Sequence, residues 1–99
     1  MSSSKHDKIA QQIAKKEGTE YNKGAGADVQ GKRRAIEIET PDTLCDAARQ
    51  LSGYQKPVYV APTDQKAVKA AVKRYKNTTI GVMSPSGKVV KRSTRGRKR

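Results

Sequence analysis

Between Pro57 and Pro62 the chain runs Val58-Tyr59-Val60-Ala61 without a polar residue. This run most limits what the chain can become. A strand with one wet face alternates apolar and polar side chains. A short unbroken apolar run between two prolines reads instead as a buried strand, central in a sheet and covered by helices.

The rest of the sequence supplies those helices and strands. Ile9, Ala10, Ile13 and Ala14 recur at helical spacing, with Lys8, Gln11, Gln12 and Lys15 opposite, so a first helix is expected over about residues 5–17, stopping at Gly18. Thr40-Pro41-Asp42 is a helix start, and Leu44, Ala47, Ala48 and Leu51 continue it as a core stripe to about Ser52. Thr63 is the expected cap of a third helix reaching about Lys76. Its inward residues are Ala67, Val68, Ala71, Val72 and Tyr75; Lys66, Lys69, Lys73 and Arg74 point outward. Thr19 to Asn22 suits a short strand. Thr78 to Met83 suits another, joined by Ser84-Pro85-Ser86-Gly87 to a returning strand over Lys88 to Arg92. The expected class is mixed α/β, in the order α-β-β-β-α-β-α-β-β, with a central mixed sheet flanked by helices. Residues 1–93 make one domain. Residues 94–99 read as a disordered basic tail, because nothing from Ser93 onward is apolar.

At 99 residues the core is modest, and with no Trp and no Phe it rests on aliphatics and four Tyr. One cysteine, Cys45, excludes an internal disulfide and a cysteine-rich zinc site. A polar N-terminus and the lack of any span-length apolar run lead to the expectation of a cytoplasmic protein without a membrane partner. The 22 basic residues exceed the 9 acidic ones by 13, which calls for a polyanion, nucleic acid first among them. Lys23, Lys32, Arg33 and Arg34 about the hairpin, and Arg95, Arg97, Lys98 and Arg99 in the tail, are the expected phosphate contacts.

Against this charge the stretch from Gly24 to Glu39 stands out. It reads as two strands joined by a turn at Gly31-Lys32. Asp28 lies in the first. Glu37 and Glu39 lie in the second, two apart and therefore on one face with Ala35, while Ile36 and Ile38 take the other. A half-buried strand with its polar face in solvent would explain the alternation alone. Three carboxylates brought together, however, repel one another unless a cation lies between them, and Mg²⁺ takes hard oxygens from one or two carboxylates. Downstream, Gln50 and Tyr54 are four apart and share a flank if the helix turn continues that far. His6, the one histidine, falls in a frayed first turn and reads as incidental.

Element order, Asp28, Glu37-Ile38-Glu39 and Gln50-Leu51-Ser52-Gly53-Tyr54 together resemble the PD-(D/E)XK nuclease superfamily. The nearest members are small archaeal-type Holliday-junction resolvases and RecB-like nucleases. The resemblance covers about Lys5 to Pro62. It implies a restriction-endonuclease-like core and a Mg²⁺- or Mn²⁺-dependent endonuclease acting on nucleic acid, DNA before RNA, as a homodimer. It implies Asp28, Glu37 and the main-chain carbonyl of Ile38 as metal ligands, and Asp28, Glu37, Glu39, Gln50 and Tyr54 as the catalytic set. Asp7 loosely matches an acid on the family's first helix. One departure matters: Glu39 stands where the family has a lysine that positions water. Lys23, Lys32 or Arg34 could supply a cation in its place. Two other readings remain open: an inactive nucleic-acid-binding module of the same fold, and a basic ribosome-associated or structural protein.

Overall fold

The computed structural model describes residues 5–22, 27–40 and 47–95. The elements in chain order are α1 (Lys5–Lys16), β1 (Val29–Gln30), β2 (Ala35–Glu39), α2 (Ala47–Gln50), β3 (Val58–Pro62), α3 (Ala67–Arg74), β4 (Gly81–Met83) and β5 (Val89–Lys91). The five strands form one mixed sheet and lie side by side in chain order. β1 pairs antiparallel with β2, β2 and β3 pair parallel, as do β3 and β4, and β5 returns antiparallel along β4. Two successive parallel crossovers that step the same way and share one hand must put their helices on one face. The other face is left to α1.

The two cores follow that division. On one side Ala35, Val58, Val60 and Val82 meet Ala47 and Leu51 near α2 and Val68, Ala71 and Tyr75 near α3. On the other side Ile36, Ile38, Tyr59, Ala61 and Met83 meet Ile9, Ala10, Ile13 and Ala14 of α1. β3 is therefore covered on both faces, and Val58 and Val60 are 0% exposed, as an unbroken apolar run requires. The alternation in β2 divides as expected, Ile36 and Ile38 toward α1 and Ala35 toward α2 and α3.

Several elements are shorter than the sequence suggests, because side chains take over backbone groups. The expected strand at Thr19 to Asn22 is a single antiparallel bridge between Tyr21 and Val29. Asp28 lies just before β1, and the hairpin turn spans residues 31–34. Thr63 does not cap α3. The Asp64 carboxylate accepts the Lys66 N–H at 3.0 Å and its carbonyl accepts the Ala67 N–H at 2.9 Å, so a turn precedes the helix. Before β4, the Thr78 hydroxyl donates to the Tyr75 carbonyl and accepts the Ile80 N–H, which delays the strand to Gly81. Thr94 and Arg95, expected to begin a loose tail, are held to the body: the Thr94 N–H donates to the Thr79 carbonyl, and Arg95 reaches Thr79 and the Leu51 carbonyl. The expected start of the second helix at Pro41, with Leu44 and Cys45, lies outside the described residues. No helix among the described residues is long and apolar enough to cross a membrane.

Candidate functional site

The antiparallel register Val29↔Ile36 and Gln30↔Ala35 carries Asp28 to a position opposite Glu37. There the two strands stop exchanging ordinary ladder bonds. The Asp28 N–H donates to Glu37 Oε1 at 3.1 Å, and the Ile38 N–H donates to Asp28 Oδ2 at 3.0 Å. Each carboxylate thus occupies a main-chain donor of the opposite strand, which holds both acids at the mouth of the splayed hairpin. Glu39 lies two residues beyond Glu37 on the same face. Glu37 is 6% exposed and Glu39 7%, an expensive setting for neighbouring negative charges. Burial, then the charges of Asp28 and Glu39, push the Glu37 carboxyl up to about 8. Burial also raises Asp28, against the lowering effect of the Ile38 N–H and of His6.

α1 brings a second group to this mouth. His6 Nε2 lies 3.2 Å from Asp28 Oδ2, and Nδ1 lies 3.3 Å from Asp7 Oδ1. The Tyr21 hydroxyl donates to Asp7 Oδ1 at 2.9 Å. Burial and the hydrogen bond to Asp7 push the Tyr21 hydroxyl up to about 12, so it stays a protonated donor and not a base. From the far side, the Tyr54 hydroxyl accepts the Ala27 N–H at 3.1 Å, anchoring the residue before Asp28. Gln50 is half-buried at the end of α2. Asp28 and Glu37 are thus in contact, Glu39 lies two residues further along β2, and Tyr54 meets the backbone just before Asp28. His6, read as incidental, is in contact with Asp28, and Asp7 lies one hydrogen bond further out. No local pattern points to His6, since 22 residues separate it from Asp28.

The expected cations are elsewhere. Lys32 and Arg33 are exposed in the hairpin turn, at the opposite end of β2 from Glu39. Arg34 points to the α1 side, where its Nε and a terminal nitrogen clasp Glu17 at 2.9 and 2.6 Å and its guanidinium covers the Tyr59 ring. Neither Lys32 nor Arg34 therefore replaces the missing lysine at Glu39. Arg95 is spent on Leu51 and Thr79. Lys23, Arg97, Lys98 and Arg99 lie outside the described residues.

Among the described residues no group of three or more His, Cys, Asp or Glu is arranged to hold a metal ion. The Asp28–Glu37 pair is a smaller set that still suits a hard cation. Its donors are carboxylate oxygens, and burial first, then the charges of Asp28 and Glu39, raise the Glu37 carboxyl, a charge load that a cation would lower. Searches against family models, curated proteins and solved structures gave no match to this chain.

Proposed function

We propose that this chain is a nucleic-acid-binding protein of restriction-endonuclease-like fold. Its hairpin acids hold Mg²⁺ or Mn²⁺ for hydrolysis of phosphodiester bonds. The observation that carries the reading is the reciprocal lock of half-buried Asp28, just before β1, and buried Glu37 on β2, with buried Glu39 two residues along. Support also comes from the element order: an antiparallel hairpin followed by helix and parallel strand, with Glu37 and Glu39 on the Ala35 face of β2, toward α2 and α3, and Asp28 in contact with His6 of α1. The net charge of +13 supplies the attraction for the polyanion.

Asp28, Glu37 and the Ile38 carbonyl would hold the cation, which would supply a lowered-pKa water and neutralise charge on the phosphate. The chain's own residues do the positioning. The Ile38 N–H and His6 fix Asp28 Oδ2, the Asp28 N–H fixes Glu37 Oε1, and Tyr54 steadies the approach to Asp28 through Ala27. A second reading, binding without hydrolysis, is favoured by one feature: buried Glu39 occupies the place of the resemblance's water-positioning lysine, and Arg34 is clasped to Glu17 instead.

Calorimetric titration of Mn²⁺, together with cleavage assays on labelled single-stranded, duplex and branched DNA and RNA, tests both. For the hydrolase, wild type binds Mn²⁺ and cleaves at least one substrate. Asp28→Asn then weakens Mn²⁺ binding by 10-fold or more and abolishes cleavage, while nucleic-acid affinity holds or rises because a negative charge is gone. Metal binding without cleavage of any substrate establishes the second reading. Mn²⁺ affinity unchanged by Asp28→Asn overturns the site.

A further inference from the structure

We propose that the groove beneath the C-terminal end of α1 is a separate binding channel for nucleic-acid phosphates, remote from the hairpin acids. The argument begins with the direction of α1. Its first turn touches the acid end of the hairpin through His6 and Asp28. Its last turn reaches the other end through Glu17 and Arg34. Eleven residues at 1.5 Å each set these two places about 16 Å apart, beyond a Debye length of about 8 Å in physiological salt. The hairpin cations therefore do not serve the acids and need a role of their own.

They line a groove of about 790 Å³ whose walls include Lys16, Lys32, Arg33 and Arg34, with Pro57 and Tyr59 at its floor. A smaller hollow of about 270 Å³ shares Arg34, Pro57 and Tyr59 and adds Arg92 beside β5. The anionic wall residue, Glu17, is matched by its clasp on Arg34. Lys16, Lys32, Arg33 and Arg92 remain as exposed cations around one concave surface. The walls are braced. Lys16 donates to the Ser86 carbonyl in the β4–β5 turn at 3.0 Å, and Lys56 donates to the Gly31 carbonyl at 2.6 Å. A braced, concave, fourfold cationic channel fits a chain of phosphates better than a single anion, because successive charges can each meet a cation.

The floor decides what is read. Tyr59 is 5% exposed and lies beneath the Arg34 guanidinium at 5.5 Å, so no base can stack on it. With stacking on Tyr59 excluded, the four cations meet phosphates, which carry no base code.

The inference deepens the nucleic-acid part of the proposed function and stands without hydrolysis or metal. The test compares full-length wild type, the groove variant K32E/R33E and a control of equal charge change, K66E/K69E, on the exposed turn and first residues of α3. Thermal unfolding verifies that each is folded. Affinity for a fluorescent 16-base-pair duplex is measured across a salt series, with two unrelated sequences. The groove variant is expected to lose at least 10-fold in affinity and about two units of salt slope on both sequences, the control less than 3-fold. Equal losses in the two variants would show a bulk charge effect and overturn the channel. So would tight binding of wild type to phosphatidylserine vesicles, lost in K32E/R33E, with no loss on DNA. Amide NMR with the same duplex gives an independent readout: shifts are expected at Gly31 to Arg34 and Arg92, and their absence refutes the site. Duplex affinity is measured in EDTA, and Mn²⁺ binding and cleavage by wild type are scored separately, so a failed hydrolase and a failed channel give different results.

Discussion

Glu37 occupies an uncomfortable position for a charge. It is buried, faces Asp28 across the hairpin, and has Glu39 two residues along the strand. Its carboxyl titrates at about 8 in the fold against 4.5 as a free group. The native state thus binds more protons than the unfolded chain between these values. The stability this gives is fully present below about 4.5 and is lost as pH rises through about 8. Glu37→Gln, which keeps the shape and removes the titration, should be more stable than wild type at pH 8.5. The gain should be on the order of 2–4 kcal/mol by urea unfolding, shrinking toward zero at pH 4.5. Adding Mn²⁺ at pH 8.5 should raise the wild-type unfolding temperature and leave that of Glu37→Gln nearly unchanged. A constant difference between the two proteins across pH would mean that Glu37 is ionised throughout in the fold. His6→Ala tests the other side of the mouth. Loss of the bond to Asp28 should cost about 1–2 kcal/mol and weaken Mn²⁺ binding, because Asp28 Oδ2 then has one orienting partner fewer.

Among the elements, β3, β4 and the β5 end of the chain meet closely at Gly81. A Cβ placed on Gly81 would lie 2.5 Å from both the Lys91 carbonyl and Tyr59 Cε2, and 2.6 Å from the Ser93 nitrogen. Gly81→Ala must push apart β4, β5 and the Tyr59 ring together. It should destabilise by about 2–4 kcal/mol, with calorimetry as the measure. Ser93 closes the same junction. Its hydroxyl donates to the Thr79 carbonyl at 2.7 Å and accepts the Val58 N–H at 3.1 Å, tying the last described segment to the start of β3. Ser93→Ala leaves that buried N–H without its acceptor, and a loss of about 1–3 kcal/mol is expected in denaturant unfolding.

For the whole molecule, the net charge of +13 is divided among distinct surfaces. The α1 groove holds one group of cations and the outer face of α3 another. Arg95 belongs to the body, so a truncation meant to test the terminal cations must begin after it. Removing residues 96–99 takes away three cations, Arg97, Lys98 and Arg99. This should lower the salt slope of nucleic-acid binding by at most about 2.7 units, with no change in unfolding temperature. Cutting at Ser93 should destabilise the fold as well, and the paired measurement separates the two effects.

The sequence by itself determined the mixed α/β class, the buried central strand and the two-faced character of β2. An apolar run or a period-two pattern depends on residues that are neighbours in the chain. It also determined that Glu37 and Glu39 share a face, since strand parity permits nothing else. Only the tertiary structure decided which partners those acids meet. His6 with Asp28, Tyr54 with Ala27, and Arg34 with Glu17 are pairs 22, 27 and 17 residues apart, and no local pattern encodes them. The same holds for the hairpin cations. Grouped by sequence with the acids three to seven residues away, they lie at the other end of the strand, because an extended chain carries charges apart where a compact one would gather them.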